Sequence, residues 1–173
     1  MPTIILLLLL LTLPAQAREI RPGNETYFSP HPIDLPGESP TAALVRHFDA
    51  EDKEILCEVY SFTSRPIAEA LIRAHARGVL VRVISDRTNL SGKGSVTPDL
   101  EAAGIEVVYD HEHAIMHDKV AIIGRKWLAT GSFNWTAAAE NKNAENLKII
   151  LDPEDARFYA EEWERHRGHS VIR

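Results

Sequence analysis

Apolar residues recur along this chain in two alternating rhythms. Short runs rich in β-branched residues, at 54–61, 80–85, 105–109, 116–123, 127–131 and 147–151, predict buried strands. Between them lie stretches with helical spacing, at 41–48, 65–77, 97–103, 136–140 and 153–167. Within 65–77, Ile67, Ala70, Leu71 and Ala74 fall on one face, and Gly78 follows where a helix stop is wanted. Gly104 stops the next helix, and Pro153 opens the last. A short strand at 26–29 precedes a Pro- and Gly-rich loop at 30–40. This order predicts an α/β fold, with a mixed central sheet flanked by helices on both faces.

The first residues follow neither rhythm. Residues 4–13 are apolar apart from Thr12, and Ala15-Gln16-Ala17 is a small-residue cleavage pattern. Residues 1–17 therefore read as a signal peptide ahead of a single domain at 18–173, exported to a periplasm or beyond. The run falls short of the roughly 20 apolar residues that span a bilayer. Composition suits one globular unit, with 173 residues, 45% hydrophobic and 25% charged. A net charge of -6 and a pI near 5.7 exclude a globally basic nucleic-acid binder. Contact with DNA or RNA must then be local, and Arg65, Arg73, Arg77, Arg82, Arg87, Lys93, Arg125 and Lys126 are the side chains available for it. Cys57 is the only cysteine, which rules out an intramolecular disulfide and a cysteine-based zinc cluster.

The chemistry concentrates between His117 and Asn146. His117-Asp118-Lys119 lies on the predicted 116–123 strand, where alternation puts His117 and Lys119 on one face and Asp118 on the other. The turn Gly124-Arg125-Lys126 joins it to the next strand as a hairpin, which ends in Gly131-Ser132-Phe133-Asn134. Asn143-Ala144-Glu145-Asn146 follows after a short helix whose first amides are expected to be free for an anion. Histidine attacks phosphorus, lysine and asparagine hold phosphate oxygens, and a carboxylate orients an imidazole. Alone, a His-x-Lys is an ordinary surface pair and Gly-Ser-Phe-Asn an ordinary turn. The ordered set is not ordinary.

These residues resemble the phospholipase D superfamily, and within it the small nuclease-like members with one motif per chain. The resemblance implies His117 as nucleophile, Lys119 and Asn134 as phosphate binders, Ser132 as a supporting hydroxyl and Glu145 as the carboxylate that orients the histidine. It implies no metal and no cofactor. Five residues after Lys119, where the family usually carries Asp, this chain has Gly124. The implied activity is a metal-independent phosphodiesterase, foremost a nuclease acting on DNA or RNA through a phosphohistidine. Because one chain supplies one histidine, a homodimer with a shared site is expected. A phosphodiesterase acting on phospholipid headgroups uses the same residues, and a non-catalytic nucleic-acid-binding protein is the reading in which Gly124 marks a decayed site.

Two further segments bear on the site. His111-Glu112-His113 has His-x-His spacing, but it stands in a polar stretch before a strand and reads as a groove-lining or solvated loop, not as a metal centre. The 88–95 segment lacks phosphate-loop spacing and reads as a polar loop, with Arg87 and Lys93 as candidate contacts to a polyanion.

Overall fold

The computed structural model describes residues 23–31 and 37–172, so the signal-peptide segment and residues 32–36 of the 30–40 loop lie outside the described residues. In chain order the elements are β1 (Asn24–Ser29), α1 (Pro40–Ala50), β2 (Glu54–Val59), α2 (Arg65–Ala76), β3 (Leu80–Asp86), a 3-10 turn (Arg87–Leu90), α3 (Thr97–Ala102), β4 (Glu106–Asp110), β5 (Lys119–Ile123), β6 (Trp127–Gly131), α4 (Ala137–Asn141), β7 (Glu145–Leu151), α5 (Pro153–His169) and β8 (Val171–Ile172). The strands form one eight-stranded sheet in the order β1-β7-β6-β5-β2-β3-β4-β8. β2, β3 and β4 run parallel, and β5 joins β2 antiparallel, with Val59 opposite Lys119. The α/β architecture expected from the alternating rhythms is the one observed.

The two faces of the sheet separate by residue parity. Ile55, Cys57, Val59, Val81, Val83, Ala121, Ile123 and Ile149 bury against α1 and α2. Leu56, Ile84, Val108, Val120, Ile122 and Leu128 bury against Ala156, Ala160 and Trp163 of α5. Both layers are needed because β2 is buried on each face, which explains its continuous apolar run. The helices start on local signals. Ser39 caps α1 by accepting from the Ala42 amide, and Asp152 caps α5 by accepting from the Glu154 and Asp155 amides at 3.0 and 3.1 Å.

Several boundaries differ from the sequence pattern. β5 begins at Lys119, three residues later than 116, because the Met116 amide donates to the buried Asp86 carboxylate at 2.9 Å and not to a neighbouring strand. β2 stops at Val59 because Asn89 takes over the next stretch, donating to the Tyr60 carbonyl and accepting from the Phe62 amide. β7 begins two residues earlier than 147, since Glu145 and Asn146 pair with Ser29 and Phe28. The two-residue β8 completes the β4 edge and has no hydrophobic rhythm to announce it.

The β5–β6 turn settles the meaning of Gly124. Its φ is +60° and that of Arg125 is +52°, and the turn closes with the Lys126 amide donating to the Ile123 carbonyl. A Cβ on Gly124 would lie 2.4 Å from a carboxylate oxygen of buried Glu51. An Asp there meets both left-handed backbone strain, about 1–2 kcal/mol, and a second carboxylate against the first. Gly124→Asp is therefore expected to lower the melting temperature, with partial recovery in a Glu51→Ala background. A Gly124→Asp chain as stable as wild type in thermal denaturation would contradict this account.

Glu58, on the α5 face, makes the sheet interior pH-sensitive. Its side chain is 4% exposed and pairs with the His166 ring at 2.9 Å. Burial, with the charges of Asp118 and Asp110, pushes its carboxyl up to about 8, and burial also holds His166 below its ordinary value. The pair is thus a protonated acid beside a neutral imidazole. The folded chain keeps a proton that the unfolded chain releases near pH 4.5, so this contribution is full below that pH and is lost as pH rises to about 8. Glu58→Gln is expected to flatten the stability profile over that window and to gain on the order of a few kcal/mol at its upper end. Parallel profiles for the two proteins in chemical denaturation would count against it.

Candidate active site

Strand direction assembles the site. β5 and β7 begin, and β6 ends, at the same end of the sheet, which is also where parallel β2 and β3 terminate. Lys119 lies opposite Val59, and Gly131 lies opposite Leu147, so all of these belong to the face that packs on α1 and α2. Glu145 stands two residues before Leu147 and shares that face. The result is a cleft of about 450 Å³ lined by His117, Lys119, Gly131, Ser132, Asn134 and Glu145. Of the residues expected at the site, five converge here. Arg87 and Lys93 do not line it: Arg87 donates to the His111 and Ala114 carbonyls, and Lys93 is solvent-exposed.

The 131–135 loop delivers its polar residues by alternation. Phe133 and Trp135 are each 1% exposed, and Trp135 packs edge-on to Phe62 with centroids 5.0 Å apart. The Trp135 amide donates to the Ser61 carbonyl, and the Thr63 and Ser64 amides donate to the Trp135 carbonyl. With two aromatics fixed inward, Ser132 and Asn134 turn outward into the cleft. Gly131 permits the crossing, since a Cβ there would stand 2.3 Å from the Asn146 carbonyl oxygen. That oxygen instead accepts from the Ser132 and Phe133 amides at 3.1 and 3.2 Å.

The anion site expected at the start of α4 is not part of this cleft. Thr136 caps that helix with its own hydroxyl, accepting from the Ala139 amide, and the polar groups that line the cleft are side chains.

The ionic groups are arranged in a chain. Lys119 is 6% exposed, its ammonium donates to the His117 carbonyl, and it sits 5.0 Å from the centre of the Tyr60 ring. Burial lowers its pKa, against which the charges of Asp118 and Glu145 act. Glu145 accepts from the Ser132 hydroxyl at 2.6 Å and from the Asn143 amide at 3.0 Å. Among the described residues no hydrogen bond joins Glu145 to the His117 ring. The His117 ring is exposed and leans on Tyr60, with centroids 4.7 Å apart. Tyr60 is the site residue that sequence reasoning missed. Its only signal is its place just past an apolar strand, where parallel strands commonly present ligand contacts.

Asn134 carries a telling imbalance. Its side-chain oxygen is buried and has no hydrogen-bond partner. A buried amide is rarely left so, and a bound oxyanion would engage the same side chain through its NH2 group once the amide turns over. On the far side of β5, Asp118 faces Glu58 and His166, as alternation requires. The motif therefore splits between two faces of the sheet, with His117 and Lys119 serving the cleft.

Comparison with known proteins agrees with this arrangement. The family model described as "Cardiolipin synthase, PLD-like domain" matches residues 44–167. A protein named phospholipase D from Rickettsia conorii is 43% identical over 123 residues, covering 71% of this chain and 62% of its own. The human mitochondrial cardiolipin hydrolase is 38% identical over 147 residues, covering 83% of this chain and 58% of its own. The chain thus spans about three fifths of the length of these curated relatives. Among solved structures, Nuc from Salmonella typhimurium, a phospholipase D family member, superposes with a TM-score of 0.78 at 31% identity, covering 87% of this chain and 98% of that one. NucT from Helicobacter pylori shares the fold with a TM-score of 0.75 at 24% identity, covering 86% and 97%. With the matched region taking in β2 to α5 and every residue of the cleft, this chain belongs to the phospholipase D-like family.

Proposed function

We propose that this protein is a phosphodiesterase that works without a metal, cleaving nucleic acid through a phosphohistidine. The observation that carries the reading is the convergence of His117, Lys119, Ser132, Asn134 and Glu145 on one open cleft. A His117 ring nitrogen attacks phosphorus and the phosphorus–oxygen bond to the leaving group breaks. Lys119 and the Asn134 amide hold the non-bridging oxygens, where negative charge builds. Water then attacks the phosphohistidine and frees the imidazole. Departure of the alkoxide needs an acid on the opposite side, and one chain offers a single exposed His117. A second copy of the chain supplies it, so the working unit is a homodimer with both His117 rings in one groove. The match with Nuc, over 98% of that chain, supports the phosphodiesterase reading.

A second reading has its own support. Relatives named phospholipase D and mitochondrial cardiolipin hydrolase are the more identical matches, and they favour a phospholipid headgroup as the diester. The cleft chemistry is the same for both. Cleavage by purified protein of plasmid DNA, single-stranded DNA, RNA and cardiolipin vesicles separates them, and turnover of the vesicles alone would replace the nuclease reading.

Cleavage is expected to persist in excess EDTA, because Lys119 and Asn134 offset the charge at phosphorus. Activity abolished by chelation and restored by magnesium or zinc would overturn the mechanism. His117→Ala is expected to fold normally and to lose at least about 10³-fold in turnover, since nucleophile and acid vanish together. In isolated hybrids of one wild-type and one His117→Ala chain, activity is expected to fall almost to zero. Half-activity in those hybrids would rule out the shared site.

A further inference from the structure

Across the sheet from the cleft, β4, the loop after it and the end of α5 bring together a set of groups that the proposed chemistry does not use. Asp110 ends β4, with its side chain fully buried. One of its oxygens accepts from the Glu112 and His113 amides at 2.7 and 3.1 Å, and the other meets the His113 ring at 2.6 Å. His169, the last residue of α5, adds a second ring 5.3 Å from that of His113. Its Nε2 is buried and has no hydrogen-bond partner. One ligand atom from each of Asp110, His113 and His169 lies within 4.8 Å of the other two.

We propose that Asp110, His113 and His169 form a binding site for a zinc-class divalent cation. Two imidazoles and one carboxylate are the donors such an ion prefers, and a fourth position stays open to water. Donors around a tetrahedral zinc stand about 3.3 Å apart, so the observed spread closes through modest rotations of two histidine rings. The carboxylate is already oriented, because backbone amides hold its other oxygen, as outer-shell bonds hold a metal ligand. The ion gives the orphaned His169 nitrogen a partner. The His166 ring lies 5.2 and 5.6 Å from the other two. His166 itself is engaged on both nitrogens, by Glu58 and Glu162.

The His-x-His spacing at 111–113 thus contributes one ligand, not two, since His111 is exposed and outside the set. Its partners come from the neighbouring strand end and from a helix more than fifty residues later. The ion would fasten the end of α5 to the 111–118 loop that leads into His117. Its role is to staple the fold, and it is independent of the phosphodiesterase reading.

The test is metal titration of the chelator-stripped protein. Zinc sulfate is expected to bind with one equivalent per chain by calorimetry and to raise the melting temperature by roughly 5 °C or more. His169→Ala, at the tip of the last long helix where the fold tolerates it, is expected to weaken zinc binding at least about tenfold and to remove the thermal shift. His117→Ala, which lacks the exposed imidazole of the cleft, is expected to bind zinc as wild type does. Absence of saturable binding, unchanged binding in the His113→Ala/His169→Ala double variant, or binding lost in His117→Ala would each overturn the site. In the stapled protein, chelation lowers the melting temperature while cleavage at moderate temperature continues, so failure here and failure of the metal-independent mechanism are read separately.

Discussion

The site depends on one close approach, where the backbone leaving β6 passes over the start of β7. At Gly131 there is no room for a side chain, because the Asn146 carbonyl occupies the place of a Cβ. That carbonyl receives two successive amides from the crossing segment, and the Ser132 hydroxyl in turn accepts from the Asn146 amide at 3.2 Å. The crossing therefore fixes Ser132 beside Glu145 and sends Phe133 and Trp135 into the core. Remove the approach, and Asn134 no longer faces Lys119 across the cleft. Strand alternation does the rest, since it puts His117, Lys119 and Glu145 on the same side of the sheet without further devices.

Much of this was legible because its causes are local. The α/β order followed from apolar runs separated by helical spacing, and helix ends followed from Gly78, Gly104 and Pro153. His117, Lys119, Ser132, Asn134 and Glu145 stood out because their types and order match one chemistry. What the pattern hid was set by partners distant in sequence. Asp86 captures the Met116 amide thirty residues on and delays β5, and Asn89 ends β2 in the same manner. Arg87 and Lys93 looked equally suited to a polyanion, yet Arg87 is committed to the carbonyls of the 111–114 loop. Tyr60 gave no chemical signal at all, because its role is to present a ring to His117 and Lys119.

The turn at Gly124 shows how a departure from a family pattern is absorbed. Where relatives of the resembled type carry a carboxylate, this chain has a bare backbone, and the buried Glu51 carboxylate occupies the space beside it. A carboxyl group therefore still stands under the hairpin, contributed from the end of α1. The departure does not by itself mark a decayed site, and the cleft residues at the other end of the same hairpin remain assembled.

The central claim is that the exposed His117 ring, and not a metal-bound water, attacks phosphorus. The most direct measurement is base-quenched single turnover on a phosphodiester substrate followed by mass mapping of the protein at alkaline pH. The account predicts a phosphoryl adduct on His117 that forms and decays at the rates of turnover and survives alkaline quench, as a phosphoramidate does. Product release with no adduct on His117, or an adduct on another residue, would contradict it.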